Sequence, residues 1–105
     1  MLTLKIKRLL EDAILPVQST PGAGCWDVFA SSDPDFVMRE GECQYVEYET
    51  GLSFELPDGY DMLIFPRSSI SSHTDLILCN GPGFLDHDFR GMLRFRFRLL
   101  RKNNP

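Results

Sequence analysis

Three short stretches carry residues whose types and spacing could do chemistry. In "CNGPGFLDHDFRG" (79–91), turn residues flank an acidic run, so Asp86 would be held at a fixed place beside apolar Phe84 and Leu85. A carboxylate in such a setting can act as a general base toward water. Phe89, three residues on, offers a face for a flat ring or a sugar. Asn80 and Gly83 are placed to shape a small pocket through backbone contacts. The alternative is a hairpin with an acidic tip. In "FPRSSISSH" (65–73), Arg67 and the hydroxyls of Ser68 and Ser69 follow an apolar run. Guanidinium, hydroxyl and backbone N–H groups together suit phosphate oxygens. The same residues also read as a Ser-rich loop or a helix cap beside a solvated arginine. In "STPGAGCWDVFAS" (19–31), small residues permit a close turn before Asp27, which sits among Trp26, Val28 and Phe29. An acid in an apolar strand needs a partner. Asp27 either ties down a neighbouring loop or serves a site.

The elements that must position these residues read mostly as strands. Leu4 and Ile6 alternate with Thr3, Lys5 and Lys7. "CQYVEYE" sets Tyr45 and Glu47 against Val46 and Tyr48, and "GLSFEL" puts Leu52, Phe54 and Leu56 on one face before a "PDGY" turn. "MLRFRFRLL" opposes Leu93, Phe95, Phe97 and Leu99 to Arg94, Arg96 and Arg98. "DMLIFP" and "DLILCN" are short, nearly continuous apolar runs, as expected of strands buried on both sides. Only "KRLLEDAILP" has the makings of a short helix, stopped by Pro16. Many short strands between Gly, Pro, Asp and Ser turns predict an all-β sandwich, barrel or jelly roll, with residues 1–105 forming one domain.

Composition narrows the function classes. A chain of 105 residues with a net charge of −4 is a poor match for generic nucleic-acid binding, which needs a basic surface. The three arginines of "MLRFRFRLL" read as a solvated or interface face, with no adjoining aromatics on that face to stack bases. No apolar run approaches the ~20 residues that span a membrane. Three cysteines, without a Cys-x-x-Cys pair, fit free thiols in a reducing compartment, so the expected location is cytoplasmic. No histidine–cysteine spacing suggests a metal-ligand set.

Taken in order, the three stretches resemble the motifs of the trimeric deoxyuridine triphosphatase (dUTPase) family. "GCWDVFA" is similar to the first, A-G-x-D-L-x-A; "PRSS" to the second, P-R-S-G; "NGPGFLDHDFRG" to the third, N-x-x-G-x-I-D-x-x-Y-x-G. The resemblance implies a jelly-roll-like all-β barrel, a homotrimer, and Mg²⁺-dependent hydrolysis of dUTP to dUMP and pyrophosphate. It implies that Asp86 orients or deprotonates the attacking water and that Phe89, replacing a tyrosine, packs on the deoxyribose. It further implies that Asn80 and Gly83 belong to a hairpin reading uracil, and that Arg67, Ser68 and the amide of Ser69 contact phosphate. Asp27 would stand near the metal, reached through water and not by direct ligation.

The pattern also departs from the family. Ser69 replaces a glycine, and Met92 stands where a glutamate is common. The family's fourth and fifth motifs are not found, so the expected barrel is C-terminally incomplete. The expectation is either a fragment or a short form that covers its open edge by oligomerisation. This leaves a second reading, a catalytically poor nucleotide-binding or regulatory protein of the same fold. Deoxycytidine triphosphate deaminases resemble the chain less, because the acid they carry after the third motif falls near Arg96.

Overall fold

In a computed structural model, residues 3–79 and 83–99 are described. Among them are strands β1 (Lys5–Arg8), β2 (Asp35–Arg39), β3 (Glu42–Glu49), β4 (Leu52–Glu55) and β5 (Met62–Ile64), helix α1 (Ser68–His73), and strands β6 (Leu76–Leu78), β7 (Gly83–Leu85) and β8 (Arg94–Leu99). All pairings are antiparallel: β1 with β4, β5 with β7, and a four-stranded sheet in the order β2-β3-β8-β6.

The alternating patterns of β3, β4 and β8 become ladders because each pairs edge to edge with a neighbour, β3 with β8 and β4 with β1. Val46 faces Phe97 across β3–β8, and the Tyr48 and Phe97 rings meet edge to face at 5.8 Å. On the other face, Glu47 is opposite Arg96 and Glu49 opposite Arg94, with N–O separations of 3.2 and 3.6 Å. Glu47's hydrogen bond raises the Arg96 pKa further above its ordinary value. Tyr45 also lies on this face, with the Arg96 guanidinium 4.7 Å from its ring centroid. The arginine face therefore does adjoin an aromatic, contrary to expectation: strand pairing brings it from β3, which β8's own pattern cannot reveal.

The core gathers Ala13, Leu52, Phe54, Leu85 and Leu93, with Ile6, Val28, Met62, Ile64 and Phe95 packed against it. Thr50, fully buried, donates its hydroxyl to the Leu93 carbonyl at 2.7 Å and accepts from the Leu52 N–H at 3.1 Å. Its polar atom is thus satisfied where an unpaired one would be costly. Gly51 turns the chain into β4 at φ 72°, and a Cβ there would lie 2.8 Å from the Ala13 Cβ. The β2–β3 hairpin closes through Glu40 and Gly41, both at positive φ, as a two-residue type I′ loop requires. The "PDGY" turn forms as expected, with Tyr60 N–H on the Pro57 carbonyl and Gly59 at φ 83°.

Two expectations about elements fail. "KRLLEDAILP" is not a helix. Lys5–Arg8 pair with β4, leaving only a turn before buried Ala13. Ladder bonds to β4 outweigh a weak local helix preference in so short a segment. Neither β5 nor β6 is buried on both faces, since Leu63 and Ile77 are about half exposed. Their runs sit in a two-stranded sheet and at the edge of the four-stranded one, where one face lacks a covering layer in this chain.

Candidate functional site

Asp27 is held by a single pair of backbone bonds to Val17, with N–O distances of 3.0 and 2.7 Å, rather than by a strand. That bridge brings its carboxylate 3.6 Å from Arg67 Nε, although the two lie far apart in sequence. The Asp27 side chain is 20% exposed and that of Arg67 57%, so the acid is sheltered while the guanidinium reaches solvent. Arg67 is the N-cap residue of α1 and makes no side-chain capping bond. Ser68 and Ser69 form the first turn of that helix, whose N–H groups lack intrahelical acceptors. Asp27, Arg67 and Ser68 line one rim of a cleft of about 970 Å³ whose floor is apolar, including Phe54, Ile64 and Phe95.

Asp86 follows β7 on the other side of that floor. It is exposed and begins a turn closed by Phe89 N–H on the Asp86 carbonyl at 3.1 Å. The Phe89 ring folds back over Gly91, where a Cβ would come within 2.6 Å of it. Gly83, Asp86 and Phe89 line a second cleft of about 350 Å³ together with Glu47 and Arg96. Ile64, Leu78, Leu93 and Phe95 line both clefts, forming the wall between them. One protomer therefore brings Asp27, Arg67 and Ser68 together, and Gly83, Asp86 and Phe89 together, but gives the two groups separate clefts. Asn80 lies outside the described residues.

Sequence reasoning missed several residues that shape these clefts. Ser53, largely buried in β4, donates its hydroxyl to the Arg90 carbonyl at 2.6 Å and fixes the end of the Asp86 turn. Glu47 and Arg96 reach the smaller cleft already paired. The matching spacing of Glu47, Glu49 and Arg94, Arg96 was the available signal for that pairing. Among the described residues, no group of three His, Cys, Asp or Glu side chains is arranged to hold a metal ion. Among them also, no helix is long and apolar enough to cross a membrane, and Cys25, Cys43 and Cys79 are free.

A nearly all-strand fold with a partly sheltered Asp–Arg pair, a Ser-rich turn and a carboxylate turn across a shared wall is what the resemblance to the dUTPase jelly roll leads one to expect. Residues 11–102 match the dUTPase family model, and the chain belongs to that family. The deoxyuridine 5'-triphosphate nucleotidohydrolase of Hydrogenobaculum sp. (strain Y04AAS1) is 41% identical over 91 residues, covering 87% of this chain and 61% of that protein. The chain thus spans about three fifths of that relative's length. A dUTPase mutant of Staphylococcus bacteriophage 80alpha, solved with dUpNHpp, superposes with a TM-score of 0.77 at 23% identity, covering 95% of this chain and 56% of that one. A mutant dUTPase from phage phi11 of S. aureus, whose structure concerns coordination of a structural Mg(II) ion, gives 0.76 at 23% identity, with 93% and 60% covered. The two structures share the fold.

Proposed function

We propose that this chain hydrolyses dUTP to dUMP and pyrophosphate. The observation that carries the reading is the Asp27–Arg67 pair, which joins two of the three motif-like stretches at one rim of a cleft. Family membership and the dUpNHpp bound to the phage 80alpha enzyme support the choice of substrate. Arg67, with Ser68 and the amide of Ser69, takes the phosphate oxygens through charge-assisted hydrogen bonds. Gly83 and Phe89 receive the base and deoxyribose, a role in which Asn80 shares. Asp86 accepts a proton from water as the water oxygen bonds to the α-phosphorus, the bond from that phosphorus to the bridging oxygen breaks, and pyrophosphate leaves.

Magnesium fits this donor set. Such an ion keeps several of its waters and takes substrate phosphates, and Asp27 supplies a sheltered carboxylate at the phosphate rim for one of those waters. Bound there, the ion would offset phosphate charge in the transition state. Asp27 would orient its water shell and keep Arg67 aimed at the phosphates.

Because the base and the phosphate grip occupy separate clefts, we place the complete site between copies in a homotrimer. Asp86 of one copy then faces the partner subunit's Arg67. Exposed Leu63, Phe65 and Phe84 surround these clefts and suit such an interface. The cytoplasm, where thiols stay reduced and nucleotides are at hand, is the proposed location. Pyrophosphate release from dUTP, dCTP, dTTP and UTP, with and without Mg²⁺, tests the reading. Release from dUTP far above the other three, lost on chelation, is expected. No release from dUTP above background overturns it.

A further inference from the structure

The turn that carries Asp86 is held at both backbone polar groups of His87. Its N–H donates to Asp61 Oδ1 at 3.2 Å, and its carbonyl accepts from Arg90 Nη1 at 2.6 Å. Asp61 stands just before β5 and Asp86 just after β7, and the β5–β7 register pairs Met62 with Leu85. Asp61 and Asp86 are therefore neighbours across the open end of this ladder, one step beyond its last paired residues. There the backbone pairing stops and a side chain takes over. The Arg90 carbonyl is in turn held by buried Ser53, so the chain of bonds from Asp61 through His87 and Arg90 ends in the core.

We infer that Asp61 is a positioning residue for Asp86: its carboxylate oxygen replaces the missing rung of the β5–β7 ladder and fixes the angle at which the Asp86 carboxylate leaves the strand. This rests on the reading of Asp86 as the base that takes the proton from water. Alignment matters because a misplacement of about 1 Å at a reacting group can cost ~100-fold in rate. The His87 ring Nδ1 also stands 3.8 Å from Asp61 Oδ1, so attraction to the imidazole is the competing role for this carboxylate. An asparagine separates the two, because it keeps the oxygen acceptor and loses the charge.

The test compares the full chain with Asp61→Ala and Asp61→Asn. The half-exposed position lets both fold. The first readout is amide hydrogen exchange at residue 87, followed by NMR. Exchange about fivefold or more faster in Asp61→Ala, near wild type in Asp61→Asn, and unchanged at the core amide of Leu93 is expected for one lost hydrogen bond. The second readout is steady-state dUTP hydrolysis. Asp61→Ala lowers kcat by roughly tenfold with little change in KM, and Asp61→Asn recovers most of it, as loss of alignment rather than binding requires. Unchanged exchange at residue 87 in Asp61→Ala overturns the clamp. Faster exchange with unaltered kcat overturns its positioning role, and equal losses in both variants assign Asp61 to the imidazole instead. A wild-type chain that hydrolyses no dUTP defeats the functional reading and, with it, the positioning role, while the exchange comparison still decides the clamp by itself.

Discussion

The two clefts are built by opposite means. The Asp86 turn is tied by its own closing bond, by Asp61, by Arg90 and by buried Ser53, so its shape is set before any ligand arrives. The Arg67 rim has one ion pair at 3.6 Å, and the hydroxyls of Ser71 and Ser72 turn inward to the Ser68 carbonyl. Helix α1 buries none of its residues. The contrast matches the two tasks. A base must be aligned with one phosphorus, and alignment is useful only if fixed in advance. A grip on a flexible triphosphate tail is charge-dominated and tolerates adjustment.

The largest effect is expected of Asp86→Asn. On the proposed mechanism it lowers kcat by about 100- to 10,000-fold while dUpNHpp binding stays within about twofold. Turnover retained within tenfold of wild type, read by pyrophosphate release, would remove Asp86 from the chemistry. Next is Arg67→Ala, expected to weaken dUpNHpp binding by roughly 10- to 150-fold, the value of a hydrogen bond to a charged group. Titration calorimetry reads this directly. Arg67→Lys should recover only part of the loss, because an ammonium lacks the planar fork.

Gly51→Ala probes the core turn into β4, behind both clefts. A side chain at φ 72° with its Cβ 2.8 Å from Ala13 should cost about 2 kcal/mol or more in a urea titration, from left-handed backbone strain plus overpacking. A midpoint equal to wild type would show that the turn into β4 is not rigid. Ser53→Ala should cost about 1 kcal/mol, for a lost hydrogen bond that leaves a carbonyl unpaired, and should lower kcat more than it weakens analogue binding. An equal effect on both would mean that the two clefts are not built independently. The smallest effect is expected for Arg96→Gln. Its partly exposed pair with Glu47 should contribute less than about 1 kcal/mol to stability in a urea titration.

Much of the fold is legible in the residues. The alternation in β3, β4 and β8 and the "PDGY" turn translate directly into ladders and a turn, because period-two patterning and a glycine at positive φ are local properties. The first segment misled because "KRLLEDAILP" has a locally plausible helix, while its real partner, β4, lies over forty residues away. The depths of β5 and β6 misled for a similar reason: an apolar run does not say whether a second layer covers it. At the candidate site, Asp27, Arg67 and Asp86 were visible as types in motifs. Ser53, Asp61 and Arg90 were not, since a serine in a strand and charged residues beside turns are common and silent until their partners appear.

By itself, the order of residues determined the all-β class, the family and the chemical kinds of group on offer, since these depend on local periodicity and on side-chain type. Only the tertiary structure decided that Asp27 and Arg67 meet while Asp86 faces a separate cleft, and that Asp61 completes the ladder beneath it. Those facts depend on which strands pair and in what register, and pairing across long stretches of chain is chosen by the burial of the whole core rather than by any one segment.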